Sequence, residues 1–133
     1  MAVSKRIDGC PILLIAGIIG KKWSIPIIEE IYLSDNKAAF NKILKALKTI
    51  TPRNLSGCLK ELHGRNFVER KSVKENNIVY VRYSLTKKGK DLRGLIKDLK
   101  EFGFRYYGKR FKDCGYTKCS KCGFLYLPDK VVL

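Results

Sequence analysis

The sequence predicts a mainly helical chain with one small β-hairpin, and three observations carry that expectation. Apolar residues recur at helical spacing in successive segments up to residue 64 and again after residue 86. Between those stretches, from 67 to 85, the period of the apolar pattern falls to two. And "KTIT", 48 to 51, breaks one helical pattern just where Thr51-Pro52 opens another, a capping residue followed by a residue suited to the first helical position.

The elements follow in order. "CPILLIAGIIG", residues 10 to 20, starts with Pro11 in a first turn and ends against Lys21 and Lys22. It is too short to span a bilayer and lacks a small-x-small cleavage site, so it reads as a buried helix over 10 to 19. The chain is therefore expected to be soluble and cytoplasmic, with no membrane partner. "KWSIPIIEEIYL", 22 to 33, is a second helix with Ile27, Ile28, Ile31 and Tyr32 on one face and Pro26 tolerated only in its first turn. "SDNK", 34 to 37, is a turn, and 40 to 47 a short third helix carrying Phe40, Ile43, Leu44 and Leu47. The fourth helix runs from Pro52 to Gly64, which closes it, and buries Leu55, Cys58, Leu59 and Leu62. Strands at 67 to 73 and 78 to 85 flank a polar turn, "KENN". Thr86 caps a long last helix with Leu92, Leu95, Ile96, Leu99 and Phe102 along one stripe.

This order, helices then a hairpin then a helix, is the winged helix-turn-helix pattern: an α+β class, mainly α, with an extended helix for dimerisation. Residues 1–107 form that domain and 108–133 a cysteine-rich tail. Across all 133 residues, 28 Lys and Arg stand against 12 Asp and Glu, a net charge of +16. Such an excess favours a polyanionic partner. No catalytic triad, paired carboxylates or phosphate loop is legible, so the chain reads as a non-enzyme.

The fourth helix carries the sharpest signal. At about 100° per residue, Arg53, Gly57, Lys60 and Gly64 fall opposite Leu55, Leu59 and Leu62. In a helix-turn-helix the second helix enters the major groove, where glycines permit close backbone approach, Arg53 can meet guanine or phosphate, and Lys60 phosphate. A phosphate is favoured near Thr51, at the helix N-terminus. The plainer alternative is a solvated face on which glycine is tolerated. Arg70, Lys71, Lys74 and Arg82 near the hairpin tip favour binding to duplex DNA.

Residues 10 to 104 resemble the HxlR-type transcriptional regulators, winged helices within the MarR-like group. The resemblance is carried by Cys10-Pro11, "GKKW" at 20 to 23, Phe40 with Ile43, "ITPRNLSGCLKELHGRNFVER" and "YSLTKKGKDL" at 83 to 92. It implies a homodimer built from the terminal helices on a palindromic operator. By position it places Arg53, Asn54, Ser56, Gly57 and Lys60 on the recognition helix, and Lys71, Lys74 and Asn76 on the wing.

Five cysteines, an odd number, do not make a secreted disulfide framework. Cys10 coincides with the Cys-Pro that some members of the resembled family use as a thiol sensor, and the helix dipole would favour its thiolate. The alternative is a small buried hydrophobe. Cys114, Cys119 and Cys122, spaced C-x4-C-x2-C, are expected as zinc ligands, although a closed site needs a fourth. A disulfide or free thiols are the alternatives. Basic and aromatic residues alternate around them, so the competing function is a zinc-ribbon-like module binding RNA or single strands through the tail. A thiol oxidoreductase is poorly supported, because its C-x-x-C needs a strand-to-helix setting that 119 to 122 lack.

Overall fold

A computed structural model describes residues 9–35 and 37–107. Within them the chain forms α1 (Pro11–Ile19), α2 (Ser24–Leu33), β1 (Ala38–Ala39), α3 (Phe40–Ala46), α4 (Pro52–Gly64), β2 (Val68–Glu75), β3 (Ile78–Leu85) and α5 (Lys87–Tyr107). The sheet is antiparallel in the order β1-β3-β2. Winged helix-turn-helix topology is thus confirmed, with one strand beyond the expected hairpin: Ala38 and Ala39 pair with Tyr83 and Arg82 along the far edge of β3.

The core sits where the helices meet the inner face of the sheet. Ile27, Ile28 and Ile31 of α2, Ile43 and Leu47 around α3, and Leu55, Leu59 and Leu62 of α4 are buried with Phe67, Val68, Tyr83 and Leu85. Full burial of each aliphatic side chain contributes about 1.5–3 kcal/mol. Pro26 is the third residue of α2, where its missing N–H leaves no intrahelical bond unmade. Tyr32, expected on one face with Ile27, Ile28 and Ile31, is not buried with them. It is exposed, and the Arg93 guanidinium of α5 lies 3.5 Å over its ring while Arg93 Nε approaches Glu29 at 3.6 Å.

Three helices end on a left-handed residue that is not glycine: Asp35 after α2, Lys48 after α3 and Asn66 after α4. Gly64 does not close α4 as expected; it remains helical. Asn66, at φ 64°, makes the stop: its N–H donates to the His63 carbonyl at 3.0 Å, and the Phe67 N–H to that of Leu62 at 2.9 Å. This pair of bonds is a Schellman closure, and asparagine tolerates the left-handed geometry.

The end of α4 is clasped to the start of α5. Thr86 Oγ1 accepts the Gly89 N–H at 3.0 Å, capping α5, and donates to the Asn66 carbonyl at 2.7 Å. Lys88 Nζ donates to the Arg65 carbonyl at 2.8 Å and stands 4.4 Å over the Phe67 ring. Gly89 is required at this joint, because a Cβ there would lie 2.2 Å from the Phe67 carbonyl oxygen.

On α5 the buried residues are Gly89, Leu92 and Ile96. Leu95, Leu99, Phe102 and Tyr106 are exposed and lie roughly 80° round the helix from that face. The expected single stripe is therefore two, one packed on this chain's core and one turned outward.

Candidate nucleic-acid interface

The recognition-helix candidate is α4, and its geometry begins with its cap. Thr51 is extended, its Oγ1 accepts the Asn54 N–H at 3.1 Å, and Pro52 follows at the first helical position. The hydroxyl proton of Thr51 is left to donate outward. Arg53, Asn54, Ser56, Gly57, Lys60 and Gly64 are all exposed. A Cβ built on Gly57 or Gly64 meets nothing within 4 Å, so open space lies above both. Arg53, Gly57, Lys60 and Gly64 span only about 60° of the helix circumference.

The single carboxylate of α4 is turned aside. Glu61 is held by Lys21, from the α1–α2 connection, and by Arg65 Nε at 3.5 Å. Lys60 and Arg53 therefore face solvent with no acidic side chain of their own helix beside them. Cys58, half-buried on the flank, has its thiol pushed above the ordinary range by burial first, and by the charge of Glu61. His63 Nδ1 donates to the Val68 carbonyl at 3.1 Å, joining α4 to the foot of the wing.

The wing differs in detail from expectation. β2 runs to Glu75, so the turn shrinks from 74–77 to Asn76 and Asn77 alone. Both have positive φ, 52° and 64°, the signature of a type I′ turn, whose twist matches that of the strands. Register separates the expected wing residues. Lys74 shares the inner face with Arg70, Ser72 and Val79, whereas Lys71 shares the outer face with Val73, Tyr80 and Arg82. Arg82 is not a free wing cation: it is half-buried, and its guanidinium donates to the Tyr80 hydroxyl at 2.7 Å. Exposed Lys42, Lys45 and Lys48, at three-residue spacing on α3 and its C-terminal turn, form a basic row that the sequence reading passed over. Their spacing, opposite Ile43 and Leu47, was the signal available.

Cys10 is the N-cap residue of α1, partly exposed, with no side-chain hydrogen bond to the helix. Cys114, Cys119 and Cys122 lie outside the described residues, as does the whole tail from 108. Among the described residues, no group of three or more His, Cys, Asp or Glu side chains is placed to hold a metal. No single helix among them is long and apolar enough to cross a membrane.

A helix-turn-helix with an exposed basic second helix and a two-stranded wing defines the winged helix-turn-helix class. Comparison with known proteins narrows it. The HxlR-like helix-turn-helix family matches residues 18–111, and the chain belongs to that family of transcriptional regulators. It is 34% identical to the HTH-type transcriptional regulator YdeP of Bacillus subtilis over 77% of this chain and 78% of that one. The reduced form of the B. subtilis regulator YodB superposes with a TM-score of 0.64 at 30% identity, covering 74% of this chain and 94% of that one. The redox regulator HypR, in its oxidised form, superposes at 0.60 with 31% identity, covering 71% and 94%.

Proposed function

We propose that the chain acts as a homodimer that binds a two-half-site operator in duplex DNA, with α4 in the major groove and the wing beside it. The observation that carries this is the exposed face of Arg53, Gly57, Lys60 and Gly64, smooth above the glycines and free of acidic side chains. Thr51, Asn54 and Ser56 complete the helix contacts, with Lys71, Lys74 and Asn76 on the wing. Since the two lysines occupy opposite faces of the hairpin, each meets a different phosphate strand. The dimer is supported by the second stripe of α5, where Phe102 is 58% exposed and its ring centroid lies 4.9 Å from that of Tyr106, the rings tilted by 48°. Ile12, 78% exposed on α1, is a further apolar side chain that a partner could cover.

Regulation is assigned to Cys10. YodB has been solved in reduced and diamide-treated forms and HypR is described as a redox regulator, while here Cys10 is partly exposed at a helix terminus. Cys58 is half-buried, and that burial pushes its thiol above the ordinary range and holds it against ionisation.

The test compares Arg53→Ala with Lys74→Ala on selected and scrambled duplexes across a salt series. Arg53→Ala is expected to cost about 1–3 kcal/mol on the selected site and to flatten discrimination at one position per half-site. Lys74→Ala is expected to weaken both duplexes alike and to reduce the salt slope by about one unit per wing. Retention of full duplex binding by both variants refutes the assignment of α4.

A further inference from the structure

We propose that the wing ends in an apolar wedge, Ile78 with Val79, which enters the minor groove flanking each half-site and opens a base step there. The proposal rests on the reading of α4 as the groove-binding helix and adds a second mode of sequence selection to it. Ile78 and Val79 follow the turn directly and are 65% and 66% exposed. They project to opposite faces of the hairpin, one on each side of its leading edge. Among the described residues, the other large exposed aliphatic side chains are Ile12 and Leu13 on α1, Leu33 at the end of α2, and Leu95 and Leu99 on α5; the partner protomer is proposed on α1 and α5, and none of the five lies on the hairpin. The tip is a separate apolar point, too small for a protein interface and of the size that minor-groove proteins insert between bases.

Its surroundings select DNA as the occupant. Exposed Lys74, Lys71 and Arg70 stand behind the wedge, placed for the phosphates on either side of a narrow groove. The acid nearest the tip, Glu75, accepts a hydrogen bond from the Tyr80 hydroxyl at 2.8 Å, and that hydroxyl is itself bonded to Arg82. This chain draws the carboxylate back along the outer face and braces the last turn of the hairpin. Asn76 and Asn77, at the point of the turn, supply amides of the kind that read the minor-groove floor. Reach is sufficient as well. An eight-residue strand carries the tip about 25 Å beyond Val68, more than the width of a major groove.

Opening a step is cheapest at TA and CA/TG and dearest in a stiff A-tract, so the wedge converts DNA deformability into sequence preference. Duplexes recovered by the full-length protein from a randomised library provide the probe, each compared with a version whose flank carries an A-tract. The wild type is expected to prefer the flexible flank by about tenfold, the effect of one mismatched position, and to bend end-labelled duplex as read by energy transfer. The double variant Ile78→Thr with Val79→Thr keeps strand propensity and all charges. It should retain the wild-type melting temperature and sensitivity to Arg53→Ala, yet lose both the flank preference and the bend. Equal preference and equal bending in the two proteins overturn the wedge, as does a wild type that neither bends nor discriminates flanks. If Arg53→Ala leaves wild-type binding unchanged, it is the reading of α4 that fails. Recovery of no duplex at all overturns both.

Discussion

Single residues on α4 separate stability from function. Gly57 occupies a helix interior with open space above it, so alanine there is compatible with the fold. Gly57→Ala should stabilise the protein by about 1 kcal/mol, by the ordinary difference in helix propensity. If the bare backbone serves close approach to DNA, the same methyl should weaken duplex binding by about 1–3 kcal/mol, the usual cost of overpacking a tight contact. Thermal melting and duplex titration of one variant check both signs, and a gain in both quantities would leave the glycine without an interfacial role. Cys58 gives a pH signature. Its folded thiol resists ionisation, so the unfolded chain gives up the proton first, and stability from this group falls as pH rises past the ordinary value of 9.0. Urea denaturation should show that fall in the wild type and a flatter profile in Cys58→Ala. Part of this residue-level picture was legible in advance, because the exposed face of α4 follows from helical spacing alone. The engagement of Arg82 by Tyr80 and of Tyr32 by Arg93 was not, since each depends on where a neighbour two residues away or on another helix points its side chain.

At the scale of elements, boundaries were set by chemistry that the pattern shows only dimly. Gly64 is the expected stop for α4, since glycine has the stronger general preference for ending a helix. Asn66 won because its left-handed backbone turns the Phe67 ring into the core and leaves the Arg65 and Asn66 carbonyls facing Lys88 and Thr86. β1 was invisible for a different reason. Two alanines carry no strand signal, and their pairing is imposed by the free edge of β3. The joint at α5 can be tested directly. Thr86→Val removes a cap and a donor together and should cost about 1–2 kcal/mol. Gly89→Ala must displace the Phe67 carbonyl and should cost about 1–3 kcal/mol. Chemical denaturation measures both. In the wing, Asn77→Gly satisfies the same positive φ at less steric cost and should leave the hairpin intact or firmer, as read by amide exchange across β2 and β3.

For the whole molecule, the two stripes of α5 would make folding and the proposed assembly separable. Phe102→Glu lies outside the core formed by Leu92 and Ile96, so the variant should remain folded by circular dichroism yet sediment as a monomer. Loss of the fold instead would mean that the outer stripe is needed within one protomer. A further consequence follows from the clasp at Thr86, Lys88 and Gly89. It fixes the angle between α4 and the helix proposed to meet its twin, and so acts as the arm of a pair of dividers. The opening of those dividers is the separation of the two α4 helices, which on B-form DNA must match one helical turn, about 34–36 Å, or a multiple of it. On the proposed dimer, the spacing of the operator halves would thereby be set by Thr86, Lys88 and Gly89. A loosened arm should leave affinity for a single half-site unchanged while letting the protein accept operators with a base pair added or removed between the halves.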